Sequence, residues 1–394
     1  MQAEIRRLAD AVGEDLVVDL AKGLLRHRSF RGAEGPVAEY LAGRMKELGY
    51  HEVLVQEVVS GRPNVIGIVH GSGGDAGVML NGHLDIPEPV AGWTRDPFDP
   101  VVMDRSIYGQ GVTDMKGAVA SLVTAGAVVA RSGIALRSDL VVAAVMHHDT
   151  IGLGTKYLLQ ALDVPCRHGI CGEPTGLALQ LANSGACQFE IAVSGRPMHV
   201  SRREEGVDAI AKALPIYQAI TDEAFTHTPD SRLPFLPRVV VGQLLGGEAP
   251  GSTAATCLIR GDVRFNGSMT PTTVRRDLER LLERMVRRDP ELVATVRTLA
   301  TQRPYYGDPG AEVVRVVREA HTTVTGREPE TTTGLPAGSF ITDAADMVRA
   351  GISTVVYGPC NWRTVPDECT PVADLVTAAR VYALSAALLC GSSP

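Results

Sequence analysis

The run DLVVAAVMHH at 139–148 constrains the fold more than any other segment. It is almost continuously apolar, as a central strand covered on both faces must be. Short apolar strands precede it at HEVLVQEV, NVIGIVHG and GVMLNGHLD. Helical spacing lies before them, first at Leu8, Val12, Leu16, Val17, Leu20 and Leu24, then at Val37, Leu41, Met45 and Leu48. Gly49 stops the second of these helices. Further helices are predicted over 116–132 and 155–162, and a strand leads into ICGEPT. Strands alternating with helices predict an α/β sheet.

The texture changes near Gly185. ACQFEIAVSG alternates like a half-exposed antiparallel strand. A helix over 207–220, the strands RVVVGQLLGG and ATCLIRGDVRF, and an amphipathic helix over 271–288 follow, which predicts a small α+β domain with one covered face. After about Leu299 the βα character returns, with a helix near 311–324, the strand ISTVVYGP and a terminal helix over 372–389. The expected organisation is a mixed α/β catalytic domain, residues 1–184 and 300–394, interrupted by an inserted α+β lid at 185–299.

Composition excludes several classes. With 394 residues, 45% hydrophobic and 21% charged, the chain buries a large core and is not disordered, collagenous or a coiled coil. A net charge of −7 argues against nucleic acid or an anionic membrane as the partner. Seven cysteines without CxxC spacing fit free thiols in a reducing, cytoplasmic compartment. No run approaches 18 uninterrupted apolar residues, and the charged N-terminal stretch has no secretory apolar segment, so neither a membrane span nor a signal peptide is expected.

Three short segments carry chemistry. In GVMLNGHLDIPEP, His83 and Asp85 stand two apart at the end of an apolar strand, on one side of it. Carboxyl ends of strands in open α/β sheets are where sites form, and an imidazole beside a carboxylate suits a metal. In SIYGQGVTDMKGAVAS, Asp114 follows a Gly-rich turn just before a helix, and on its own it reads by default as a helix N-cap. Glu173 ends another strand in ICGEPTG. Lys116, beside Asp114, reads as a surface or structural residue.

Together and in this order, NGHLD, GVTDMKG and GEPT resemble the metal-ligand segments of one zinc-dependent family. It comprises aminoacylases, acetylornithine deacetylases, succinyl-diaminopimelate desuccinylases and carboxypeptidase G. GRPMHVS, IRGDVRF, ITDAADMVRAGI and GPCNWRTVPDEC fall in the same order, so the resemblance covers essentially the whole chain. It implies a zinc-aminopeptidase-like catalytic domain with a lid that makes homodimers. It further implies that His83, Asp114 and Glu173 hold a first zinc, that Asp114 bridges to a second, and that Asp85 orients His83.

The sequence departs from that pattern on the second-metal side. Counting back from Gly154, His148 stands where the family places its general base, a Glu, and Asp149 stands where it places a Glu ligand. Thr364 occupies the position of a C-terminal His ligand, and the last histidine of the chain is His321. Three readings stay open. A single-metal hydrolase could use His148 as base. His147 or His148 could hold a rearranged second metal, with Asp149 as base. Alternatively, hydrolysis has been exchanged for acyl transfer, cyclisation or elimination in a specialised biosynthetic pathway, or for ligand binding alone.

The same resemblance assigns Arg264 to the substrate carboxylate and His199 to the scissile carbonyl in the partner subunit's site. Asp343 is expected near the metals and is grouped with the substrate-binding residues. Arg363 is a candidate fixed cation where a second zinc would lie. Arg202 and Arg203 read as a solvated turn. The expected activity is amide hydrolysis of an N-acylated amino acid or small peptide bearing a carboxylate. The expected cofactor is one zinc ion, with cobalt or manganese as substitutes.

Overall fold

The computed structural model describes residues 7–73, 77–147, 152–222, 225–362 and 365–391, with only the backbone of Ala337. Contacts divide the chain into two compact units. One runs through Ala182 and resumes over Tyr305–Gly338 and from Thr342 onward; the other is Asn183–Pro304 with Ser339–Ile341.

The first unit is built on an eight-stranded mixed sheet. Its main strands are β1 (Glu52–Val59), β2 (Arg62–Val69), β3 (Gly77–His83), β4 (Leu140–Val145), β5 (Cys166–Cys171) and β6 (Ser353–Val356). They stand in the order β1-β2-β4-β3-β5-β6, and two short strands, Leu179–Gln180 and Thr331–Thr332, complete the far edge. β4, β3, β5 and β6 run parallel, whereas β1 and β2 pair antiparallel. Every residue of β3 and β4 is buried, as their unbroken apolar character requires.

Helices α1 (Glu14–Leu25), α2 (Gly35–Glu47), α3 (Gly117–Arg131), α4 (Leu153–Ala161), α5 (Glu312–Thr325), α6 (Ala344–Arg349) and α7 (Val372–Cys390) belong to this unit. The segments Val112–Arg131 and Val372–Cys390 are long and apolar enough to cross a membrane. Their burial accounts for that character, since a helix apolar all round is a core helix when other helices and a sheet cover it. Leu122, Val123, Leu375 and Leu384 meet in one core cluster with Leu80 of β3. Each such side chain contributes on the order of 1.5–3 kcal/mol by burial. Gly82 of β3 lets α3 approach, because a Cβ there would stand 3.1 Å from Leu122 Cδ1 and from Val119 Cγ2.

The second unit is a four-stranded antiparallel sheet. In chain order its strands are Gly185–Ser194, Arg238–Gly246, Thr256–Phe265 and Val293–Gln302, and the first of these lies between the third and fourth. Helices Ala209–Thr221 and Pro271–Arg288 share its core cluster with Phe189, Ile191, Ile259 and Phe265. Gly185–Ser194 is not half-exposed as its alternation predicts: seven of its ten residues are buried, because it pairs along both edges. Its partner Val293–Gln302 has no strong sequence signal and runs through Leu299, so the antiparallel pairing continues past the change in texture.

Candidate metal centre

Three side chains converge where adjacent parallel strands end. His83 is the last residue of β3 and pairs with Val145, the last of β4. Glu173 lies just beyond β5. Asp114 comes from the tight turn Val112–Lys116 that precedes α3. That turn is entered through Gly111 at φ 83°, where a Cβ would also collide with Ile86, so only glycine fits.

Ligand atoms of His83, Asp114 and Glu173 all lie within 4.8 Å of one another. His83 Nε2 is 3.1 Å from Asp114 Oδ1 and 4.0 Å from Glu173 Oε1. Ligands about 2.0–2.1 Å from a tetrahedral zinc stand roughly 3.3 Å apart, and the two distances bracket that value. The hydrogen bonding of His83 strengthens the fit. Its Nδ1 donates to the Asp85 carbonyl at 2.9 Å, since a carbonyl only accepts. In neutral imidazole Nε2 then presents its lone pair on the side of the Asp114 and Glu173 carboxylates, three donor groups of the kind a divalent cation takes. The residues present therefore fit a divalent metal.

Asp85 orients His83 differently from the expectation. The contact is made by its main-chain carbonyl, while its carboxylate oxygen is 3.7 Å from Nδ1. The β3 turn, not the Asp85 side chain, thus sets the tautomer.

The Asp114 turn is held by Glu368, which is buried. Glu368 Oε2 accepts from Gly111 N at 3.1 Å, and Oε1 accepts from Thr113 N at 2.7 Å and the Thr113 hydroxyl at 2.6 Å. Burial pushes its carboxyl up to about 7 against the pull of these donors. Lys116 is wholly buried, so only the structural half of its reading stands. Its Nζ donates to the His27 carbonyl at 2.6 Å, and burial pushes the ammonium down to about 7. The indole Nε1 of Trp362 donates to Asp114 Oδ2 at 2.9 Å.

His148, Asp149, Arg363 and Thr364 lie outside the described residues. Their neighbour His147 has φ 49°, and burial, aided by Arg62, lowers its imidazole pKa. Asp343 does not stand where a substrate could touch it. It is 1% exposed and accepts the Thr155 hydroxyl at 2.8 Å, while Asn81 of β3 donates to that same hydroxyl oxygen. It serves the packing behind β3. His321 is also structural, buried with Nδ1 2.9 Å from the Tyr357 hydroxyl. Cys360 is buried and its thiol pKa is raised by that burial, which removes it as a nucleophile.

In the second unit, Arg264 closes its fork on Asp262, with Nε and Nη2 at 3.0 and 3.1 Å, and Nη1 donates to the Ser339 carbonyl at 3.3 Å. A substrate carboxylate would have to share that fork with Asp262. His199 is exposed, and its Nδ1 accepts from Ser201 N at 3.2 Å. In a neutral ring that contact leaves the proton on Nε2. Arg202 is exposed and forms a two-pronged pair with Glu205, in keeping with a solvated turn.

Glu368 and Trp362 carry roles that their sequence positions do not announce. Both lie in the GPCNWRTVPDEC segment, and the only available signal was a Trp and an acidic pair so near a predicted metal-site element.

Residues 79–387 match the model of peptidase family M20/M25/M40. An acetylornithine deacetylase from Myxococcus xanthus is 30% identical over 366 residues, covering 90% of this chain and 92% of that protein. A succinyl-diaminopimelate desuccinylase from Methylobacterium radiotolerans is 26% identical, covering 95% and 97%. Among solved structures, the Saccharomyces cerevisiae di-peptidase Dug1p superposes with a TM-score of 0.83 at 12% identity, covering 100% of this chain and 99% of that one. Human carnosine dipeptidase 1 gives 0.78 at 15% identity, covering 99% and 100%. At such identities these two establish a shared fold.

Proposed function

Because the chain belongs to peptidase family M20/M25/M40 and is a metallo-amidohydrolase-like enzyme, we propose that it hydrolyses the amide of an N-acylated amino acid or small peptide bearing a free carboxylate, using one metal ion. The observation that carries this reading is the convergence of His83, Asp114 and Glu173, whose ligand atoms lie within 4.8 Å of one another. These three residues would hold zinc, with cobalt or manganese as substitutes. Such an ion would supply Lewis acidity and bring a water toward a pKa of about 7.

The chain's own groups do the rest. The Asp85 carbonyl keeps the His83 proton on Nδ1 and so keeps Nε2 available. Glu368 holds the turn that aims Asp114. The His148 imidazole accepts the proton of the attacking water and returns it to the leaving amine. Arg264 binds the substrate carboxylate, sharing its fork with Asp262. His199 offers its Nε2–H to the developing oxyanion. Asp149, next to His148 in the sequence, is read as a further acidic metal ligand.

The unit Asn183–Pro304 is read as the lid and dimerisation domain. Its edge strand Arg238–Gly246 exposes Val240, Leu244 and Leu245, an apolar edge suited to pairing with a second copy. Seven free thiols support a reducing, cytoplasmic setting. The partner is a small carboxylate, not nucleic acid or a membrane, in line with the net charge of −7.

One observation favours a second reading. His148, Asp149 and Thr364 replace both glutamates and the histidine that the resemblance leads one to expect, and catalytic groups act as a unit. A non-hydrolytic reaction on the same class of substrate, or ligand binding alone, would accommodate that. The deciding experiment incubates zinc-loaded protein with a panel of N-acyl amino acids and dipeptides. Release of the acyl group or amino acid, lost in His83→Ala, is the expected result; ligand binding without any release sinks the hydrolase reading.

A further inference from the structure

Asp114 uses its two carboxylate oxygens differently. Oδ1 faces His83 Nε2 at 3.1 Å, while Oδ2 accepts the indole N–H of Trp362 at 2.9 Å. An indole nitrogen only donates and a carboxylate only accepts, so the direction of this bond is fixed. Hydrogen bonds to an ionised acceptor are roughly twice as strong as neutral ones. Trp362 and Asp114 line a small cleft together with Pro87, Val90, Gln110 and Val365. The one other carboxylate on that cleft among the described residues, Glu368, already accepts three bonds from Gly111 and Thr113.

We propose that Trp362 is a positioning residue of the metal centre: by holding Asp114 Oδ2 it makes Asp114 a one-oxygen ligand, bound through Oδ1. The inference rests on the His83–Asp114–Glu173 assignment above. Partners that orient a metal ligand commonly contribute 10- to 100-fold in affinity. Trp362 occupies such a place, and its ring also reports on the ligand it touches. Without the indole N–H, Asp114 can turn and chelate through both oxygens, which raises the coordination number of the ion and alters its ligand field.

The test uses the full chain, stripped with a chelator and titrated with cobalt(II) or zinc. The chain has two tryptophans, so a Trp93→Phe background leaves Trp362 as the only indole. Its emission is expected to change and to saturate at one equivalent of zinc. In Trp362→Phe, with an unchanged circular dichroism spectrum, cobalt affinity is expected to fall at least about tenfold. The visible cobalt band should weaken and shift as coordination expands. An emission unmoved by the first equivalent overturns the proposal. So does a Trp362→Phe protein with affinity within about twofold and a superimposable cobalt spectrum. The fluorescence arm keeps the native Trp362 and stands even if the Phe variant does not fold. His83→Ala separates the two levels: unchanged cobalt binding there sinks the ligand assignment itself, whereas lost binding beside an unaffected Trp362→Phe sinks only the role of Trp362.

Discussion

At the scale of single residues, the centre depends on groups that contribute no ligand atom. Glu368→Gln keeps the shape of the side chain but sets an amide N–H against one of the donors at Gly111 or Thr113. A buried donor left unsatisfied costs about 1–3 kcal/mol. Zinc affinity, measured by competition with a chromogenic chelator, is expected to fall about 10- to 100-fold while the protein stays folded. His148→Ala acts at another step. It should lower kcat by about 10²–10⁴ with zinc content unchanged, and an undiminished kcat would exclude His148 as base. His83, Asp114 and Glu173 were legible as candidate ligands because their three segments stand together in the order of a known family, although Asp114 alone reads as a helix cap and Glu173 alone as a solvated strand end. The bond from Trp362 was not, because it joins positions 248 apart and depends on how a late loop folds back. Nor was the use of the Asp85 carbonyl in place of its carboxylate, which depends on the backbone path after β3.

At the scale of elements, apolar runs predicted the buried strands and long helices well, since burial itself writes that pattern. β4 and α3 follow their sequence signals closely. Val293–Gln302 escaped because it is an edge strand with a single buried residue, and Thr and Arg stand between its apolar positions. Its position also explains Glu190, a nearly buried carboxylate on Gly185–Ser194. Arg297 from Val293–Gln302 and Arg260 from Thr256–Phe265 each hold it at 2.7 Å. Those hydrogen bonds lower its pKa below the ordinary carboxylate value. A depressed folded-state pKa stabilises the fold above the unfolded value, about 4.3, and the gain is lost as pH falls through the folded value. Glu190→Gln should therefore lower Tm at pH 7, and the gap from wild type should close progressively in acid. A gap that stays constant down to pH 3 would mean that charge is not what Glu190 contributes.

At the scale of the whole molecule, the fold class was legible because alternating strand and helix signals persist over most of the chain, and the mixed sheet follows them. The proposed dimer rests on an exposed apolar edge at Val240, Leu244 and Leu245. Val240→Glu combined with Leu244→Lys should convert a dimer to a monomer in light scattering coupled to size exclusion. If His199 serves the partner's site, mixing inactive His199→Ala and His148→Ala proteins after dissociation should restore about a quarter of wild-type activity. Mixed dimers that stay inactive would place His199 outside catalysis. The central claim is a centre of one ion on His83, Asp114 and Glu173, and elemental analysis of metal per chain tests it most directly. The account predicts one zinc per chain in purified wild-type protein and none in His83→Ala. Two ions per chain, or a zinc content that His83→Ala leaves unchanged, would contradict it.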